Sequence, residues 1–112
     1  MASSFRDYEH GAGPMDYTLI LDPVHAWQVI SARLHLTGGP GWFGDWTITL
    51  DAAAGAVYNT VFLTADMALV HDVLWEPTRP VVLMPEDHIR YQWTNKFQIP
   101  WGIETIWQLG AA

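Results

Sequence analysis

The sequence contains no cysteine and a single lysine, Lys96, among its 112 residues. Without cysteine, the chain has no disulfide framework, no thiolate metal site and no thiol nucleophile. Only 15% of the residues are charged, against about 25% in a typical soluble domain, whereas 50% are hydrophobic. This composition predicts that neighbouring molecules cover part of the surface, although a compact β domain with a rich core would also explain it.

Basic clusters and long apolar runs are lacking as well. The formal net charge is −7, and the five lysine and arginine residues are dispersed along the chain. Because phosphate backbones are bound by basic patches, we expect no nucleic-acid partner. No apolar run reaches the roughly 18 residues that span a bilayer. The N-terminus also has no apolar segment after a basic start. We therefore expect no membrane partner, and folding in the compartment where the chain is made.

Motifs of the common enzyme classes are also missing. Serine occurs only at positions 3, 4 and 31, and no nucleophile elbow is present. The glycine-rich run 38–41 contains proline and is followed by Trp-Phe, which does not suit a phosphate-binding loop. The histidines lack metal-ligand spacing, and no calcium-binding loop occurs. We therefore predict a protein that is not an enzyme and holds neither a metal nor a cofactor. The five histidines are His10, His25, His35, His71 and His88.

The sequence does contain a succession of short runs with the two-residue period of β-strands. These runs cover residues 17–21, 27–37, 46–50, 56–64, 81–84, 88–93 and 101–109, and turn residues separate them. Residues 67–75 fit either a strand or a short helical turn. Seven or eight strands at this spacing predict an all-β fold, an antiparallel two-sheet sandwich or jelly roll, formed as a single domain by residues 16–112. Residues 1–15 show no period and predict an extended N-terminal arm that contacts another subunit.

Six of the seven tryptophans fall into two groups, and the seventh, Trp75, lies before Glu76-Pro77, at a rim. Those at positions 27, 46, 93 and 107 begin strands or follow their inward-facing phase, which predicts that they lie in the core. The Trp42-Phe43 pair, within the glycine-rich stretch 37–46, and Trp101, after Pro100, occupy loop-like contexts. Since tryptophan is enriched in interface hot spots, we predict that these aromatic residues bind a partner together with the arm. The alternative is a loop that folds over one open end of the sandwich. The predicted partner-binding residues are Phe5, Arg6, Tyr8, Trp42, Phe43 and Trp101.

The order of these segments resembles that of small virion proteins encoded in the structural-gene clusters of tailed bacteriophages. The resemblance covers residues 17–109 and is carried by WQVISARLHLTGG, DWTITLDAAAGAVYNTVFLT, VLWEPTRPVVLMPEDHIRYQWTN and WGIETIWQL. Within it, the L-x-P-x-D-x-I-x-Y-x-W segment from Leu83 to Trp93 is similar to the L-x-x-G-D-x-I turn of viral and tumour-necrosis-factor-like sandwiches. Glu86 stands where that turn has glycine.

The resemblance implies a non-enzymatic component of a phage head or tail, located in the virion and assembled in the host cytoplasm. Such a component would be a capsid decoration or cement protein, a head-fibre base or a tail accessory subunit. It would form homo-oligomers and bind the major capsid protein or other virion subunits. Two alternatives stay open at this point. One is a carbohydrate- or receptor-binding module that presents Trp42 and Trp101 to a surface glycan, and the other is a small metal-dependent, cupin-like enzyme.

Overall fold

The computed structural model describes residues 4–21, 24–42 and 44–109, and these residues confirm the predicted all-β fold. A 3₁₀ turn, Ala56–Tyr58, lies between two of the strands. In the described part of the chain, no helix has the length and apolar character needed to span a bilayer. The strands are β1 (Ser4–Gly11), β2 (Met15–Ile20), β3 (Trp27–Leu36), β4 (Asp45–Asp51), β5 (Thr60–Asp66), β6 (Asp72–Trp75), β7 (Val81–Leu83), β8 (His88–Trp93) and β9 (Trp101–Leu109).

The strands form two antiparallel sheets that pack face to face. One sheet has the order β1-β9-β3-β6, with β7 also paired to β3, and the other has the order β2-β8-β4-β5. β6 and β7 pair with successive parts of β3 because Pro77 and Pro80 interrupt the strand between them. Counted as one broken edge strand, they give the eight-strand order of a jelly roll, as predicted.

The prediction of an extended N-terminal arm is wrong for residues 4–11, which form the edge strand β1. Every residue of β1 has a partner in β9, from Ser4 opposite Gln108 to Gly11 opposite Trp101. Phe5 packs against Trp27 and Trp107 of the same chain. The alternation of apolar and polar residues along β1 is hard to recognise in the sequence because the inward position after Phe5 is the charged residue Asp7. The Asp7 carboxylate accepts a 2.7 Å hydrogen bond from the Tyr17 hydroxyl of the other sheet. Residues 1–3 lie outside the described residues.

A β-bulge changes the phase of β3. The pairing of β3 with β9 shifts between Val29 and Ser31, so Ile30 adds a residue to one strand. Val29 is buried before the shift, and Ala32, Leu34 and Leu36 are buried after it. An unbroken two-residue period over the predicted run 27–37 would place Ile30 on the inward face of Ala32. Instead, Ile30 is only half-buried because the bulge separates the two phases.

The core lies between the sheets and contains Trp27, Trp46 and Trp93 as predicted, whereas Trp107 is only half-buried. The Trp46 ring stacks on the Tyr91 ring at a centroid distance of 6.0 Å. The Tyr91 hydroxyl reaches across to the opposite sheet, where its oxygen lies 2.6 Å from Thr105 Oγ1. Burial of each large side chain contributes on the order of 2–3 kcal/mol, and the buried hydroxyl pair fixes how the sheets face each other.

Two connections differ from their predicted extents. The predicted strand 56–64 begins later, at Thr60, because the 3₁₀ turn occupies Ala56–Tyr58, and it pairs with β4. The ambiguous segment 67–75 becomes a strand only from Asp72. Before that point, Met67 is fully buried in the core, and the chain turns immediately after it.

The turn between β7 and β8 has the conformation that glycine favours. Glu86 has a φ of 70°, in the left-handed region, at the position where the similar viral turn has glycine. The Asp87 carboxylate accepts hydrogen bonds from the Met84 N–H at 3.0 Å and from the Ala53 N–H at 2.9 Å. Asp87 therefore holds this turn against the β4–β5 connection.

Replacing Glu86 tests this turn. A left-handed conformation costs a non-glycine residue roughly 1–2 kcal/mol, and glycine's greater entropy in the unfolded chain offsets about half of that. We expect Glu86→Gly to be more stable than Glu86→Ala by about 0.5–1 kcal/mol in urea unfolding. Ala54→Gly, in the β4–β5 connection, should instead lower stability. Equal stability of the two Glu86 variants would contradict the assignment.

Tyr91 predicts a loss of stability at alkaline pH. Burial raises the pKa of the Tyr91 hydroxyl above its ordinary value of about 10. Above pH 10 the unfolded chain therefore ionises this tyrosine while the folded chain keeps it neutral. Stability that is complete below pH 10 should fall by about 1.4 kcal/mol per pH unit as the pH rises further. Urea midpoints between pH 8 and 11.5 should fall less steeply in Tyr91→Phe, whereas the exposed control Tyr58→Phe should behave as the wild type does.

Candidate functional site

Four connections meet at one end of the sandwich, which we call the Trp42 end. Within the described residues, they comprise residues 12–14, 37–42, 44, 67–71 and 94–100. Backbone and side-chain hydrogen bonds join each of these connections to its neighbour in space, so together they form one surface. The opposite end, which we call the hairpin end, carries the β2–β3, β4–β5 and β7–β8 connections.

The carbonyl oxygen of Gly13 joins two parts of the Trp42 end. It accepts hydrogen bonds from Asn95 Nδ2 and from Trp101 Nε1, both at 2.9 Å. Asn95 is only 1% exposed, and its amide also pairs with the backbone N–H and carbonyl of Ile99 at 3.0 Å each. Because a buried amide is stable only when its hydrogen bonds are made, these bonds fix the β1–β2 turn against residues 94–100.

Residues 94–100 in turn hold the glycine-rich loop. The Thr37 N–H donates to the Pro100 carbonyl at 3.1 Å. Further along, the Gly41 N–H donates to the Val70 carbonyl at 2.9 Å, and the Gly41 carbonyl accepts from the Leu69 N–H at 2.7 Å. A Cβ atom at Gly41 would lie 2.3 Å from the Met67 carbonyl oxygen, so only glycine permits this approach. The backbone that leads to Trp42 is therefore held by Pro100 at one point and by Leu69 and Val70 at another.

Two large apolar side chains project from this fixed backbone. Trp42 is 51% exposed and Leu69 is 70% exposed. Leu69 has a φ of 61°, a conformation that branched apolar residues rarely adopt. Trp42 is thus held at the surface and does not fold over the chain's own core. Phe43, which was predicted to act with it, lies outside the described residues.

Trp101 does not belong to this exposed surface. It is only 8% exposed, and its ring covers Gly11, where an added Cβ would come within 2.8 Å of Trp101 Cζ2. The neighbouring proline suggested a loop, but Trp101 is the first residue of β9 and points into the core. An aromatic platform built from Trp42 and Trp101 is therefore not formed.

The three residues predicted in the arm are divided between the two faces of β1. Phe5 faces inward, with its ring centroid 5.5 Å from that of Trp27. Arg6 and Tyr8 face outward; Arg6 pairs with Glu104 at 3.3 Å, and Tyr8 is 68% exposed. The predicted residues therefore do not form one site, since Trp42 lies at the end of the sandwich and Tyr8 lies on its face.

Tyr8 instead borders a depression on the outer face of the five-stranded sheet, which we call the Gly102 groove. Gly102 in β9 forms its floor, and it lies opposite His10 of β1 and His35 of β3. In the next row, Glu104 lies opposite Tyr8 and Arg33. The depression has a volume of about 320 Å³. It exists because Gly102 has no side chain between the two histidines.

The polar groups of the Gly102 groove divide into paired and unpaired sets. The Glu104 carboxylate accepts from Arg6, and the Asp72 carboxylate beside the groove pairs with His35 Nδ1. Within the described residues, the Arg33 guanidinium, the His10 ring and the Tyr8 hydroxyl make no hydrogen bond to the protein. The groove therefore offers free donors, while the carboxylates that line or border it, Glu9, Glu104 and Asp72, each take part in a hydrogen bond.

Sequence reasoning missed the Gly102 groove because its walls are far apart along the chain. His10, His35 and Gly102 come together only through the register of three strands. One signal was available: a glycine inside a strand often marks a place where a ligand or another backbone approaches closely. In the strand run 101–109, that glycine stands between Trp101 and Ile103, which share the inward phase.

Comparison with known proteins assigns no family to the chain. No protein-family model matches it, and no curated protein is significantly similar to it. Across the described residues, no group of three or more histidine and carboxylate side chains is arranged to hold a metal ion. The functional interpretation therefore depends on the geometry of the Trp42 end and the Gly102 groove.

The different positions of Trp42 and Trp101 predict effects of very different size on stability. Trp101→Ala removes a buried ring and one partner of the Gly13 carbonyl, so it should lower the free energy of unfolding by about 3–5 kcal/mol. Trp42→Ala changes a surface side chain and should alter it by only about 0.5 kcal/mol. Urea unfolding of the two variants measures both changes. A large loss in Trp42→Ala would mean that this ring belongs to the core.

Proposed function

We propose that the chain is a non-enzymatic structural subunit of a tailed-phage virion, acting in capsid decoration or head-fibre attachment through its Trp42 end. The observation that carries the proposal is the display of Trp42 and Leu69 on backbone that hydrogen bonds hold in place. Exposure of these two apolar side chains to water does not stabilise an isolated chain. The arrangement therefore favours contact with another molecule, whereas the Trp101 ring already lies in the core.

The energetics of such a surface suit a structural contact. Burial of one large apolar side chain in an interface contributes on the order of 2–3 kcal/mol. A fixed loop also loses little conformational entropy on binding, so more of that energy remains as affinity. A subunit that binds only the assembled lattice stabilises the lattice by mass action, and identical contacts repeat over every copy.

The hairpin end supports the homo-oligomeric part of the proposal. Val57 is 86% exposed, and the neighbouring Tyr58 and Val61 are also exposed. Asp87 fixes this connection against the β7–β8 turn, where Met84 is exposed as well. We assign self-association to this end and lattice binding to the Trp42 end. Self-association through the same surface of each copy would form an isologous interface, which closes as a two-fold dimer.

The fold and the composition are consistent with this function. Jelly rolls form viral capsid proteins, but they also form lectins and cupins, so the fold alone does not select among these classes. Lys96 is the single lysine of the chain. A surface with few charges and several apolar side chains favours a subunit that neighbours cover. The order of the sequence segments resembles that of phage virion proteins, and this resemblance is the reason for proposing a phage virion as the assembly.

Mass spectrometry and sedimentation test the proposal. The chain should be present in purified virions produced from a genome that encodes it, and the isolated chain should co-sediment with particles from which it has been stripped. Trp42→Ala should weaken this binding about tenfold to thirtyfold, because interface tryptophans are typical hot spots. Tyr8→Ala, on the sheet face, is the matched control and should bind as the wild type does. Absence from virions, together with a monomeric chain that does not sediment with particles, would overturn the proposal.

A further inference from the structure

We propose that the Gly102 groove binds a carboxylated pyranose, such as the uronic-acid unit of an acidic polysaccharide. The inference goes beyond the proposed function. It depends on the sheet face formed by β1, β9 and β3, whereas lattice binding is assigned to the Trp42 end. The sugar-binding inference and the virion proposal can therefore each be supported or overturned without the other.

The shape of the groove suits a single sugar ring. His10 and His35 both lie opposite Gly102, so two interstrand spacings, about 10 Å, separate their backbones. The gap between the imidazoles is floored by backbone, which a flat ring can approach closely. A volume of about 320 Å³ lies at the lower end of the range for small-molecule sites. A folded peptide segment or an extended nucleic acid would need a longer channel.

An aromatic side chain lies at the wall of the groove. Tyr8 is on β1, two residues before His10, and most of its ring is exposed. An exposed tyrosine presents an apolar face together with a hydroxyl group. That combination matches a pyranose, which has an apolar face of C–H groups and hydroxyls around its rim. Tyr8 thus supplies a stacking surface, and its hydroxyl supplies a polar contact.

The unpaired groups favour a ligand that carries a carboxylate. Arg33 faces the groove from β3 and has no partner among the described residues, whereas Glu104 and Asp72 are engaged by Arg6 and His35. A guanidinium binds a carboxylate through two parallel hydrogen bonds, which are stronger than those between neutral groups. The free donors of Arg33, His10 and Tyr8 are therefore complementary to an acceptor-rich, anionic sugar.

The position of Gly102 allows a direct test. An added Cβ there would meet only the Glu9 carbonyl oxygen, at 3.9 Å, so a side chain can fill the groove without disturbing the strand. Gly102→Val should keep the thermal midpoint of the wild type and abolish binding. Arg33→Gln is the second variant; it should bind the acidic sugar at least tenfold more weakly and bind a neutral sugar unchanged. Tyr58→Ala, at the hairpin end, is a matched control for Tyr8→Ala.

The experiment is an amide NMR titration of the isotopically labelled chain. The probes are methyl glucuronoside, the neutral methyl glucoside and inorganic phosphate. Methyl glucuronoside should shift the Gly102 and Glu104 amides with a millimolar dissociation constant, and Tyr8→Ala should reduce the affinity several-fold. Methyl glucoside should bind at least tenfold more weakly, and phosphate should not shift these amides. The Trp42→Ala variant should bind the glucuronoside as the wild type does, which separates this result from the virion proposal.

Four results would overturn the inference. Equal binding of both sugars would remove the role assigned to Arg33. Equal binding of phosphate would make the groove a general anion site. Unchanged Gly102 and Glu104 amides at saturating glucuronoside, or full binding by a folded Gly102→Val variant, would show that the groove is not the site.

Discussion

The Trp42 end of this jelly roll depends on a single backbone oxygen, the carbonyl of Gly13, which two buried side chains share. Leaving a buried donor without its partner costs roughly 1–3 kcal/mol, so Asn95 and Trp101 together strongly favour one geometry. That geometry positions residues 94–100, which support the glycine-rich loop and, through it, the turn that carries Leu69. A polar contact inside the protein thus determines which apolar side chains appear outside it.

The sequence was sufficient for the sheets and most of the core, because alternation along a strand is a direct consequence of burying one face. Prediction from the sequence was wrong where a strand does not follow this alternation of buried and exposed residues. β1 is an edge strand whose second inward residue is Asp7, stabilised by Tyr17 and not by apolar packing. The bulge at Ile30 depends on the pairing of β3 with β9, which no local pattern shows. Trp101 follows a proline, yet it begins β9, points into the core and donates a hydrogen bond to Gly13, 88 positions earlier in the chain.

The candidate sites were predictable to very different degrees. Trp42 was identifiable because an aromatic residue amid glycines is unusual in itself. The Gly102 groove could not be located in the same way, since its histidines belong to strands that become neighbours only through the strand order of the sheet. Jelly rolls place sequence-distant strands side by side, so a binding surface on a sheet face is assembled from separate parts of the chain. The fold therefore presents two separate candidate surfaces, one at an end of the sandwich and one on a sheet face.

The placement of β9 between β1 and β3 also affects how the chain is made. β9 is the last of the nine strands to be synthesised, yet it fills the middle of its sheet. Until residues 101–109 have been made, β1 and β3 both lack the neighbour they need and expose unpaired backbone groups. Contacts between such distant segments form slowly because a long loop must close first. Nascent chains should therefore rely on chaperones that shield strand edges, and stalled translation products should be the species that aggregate.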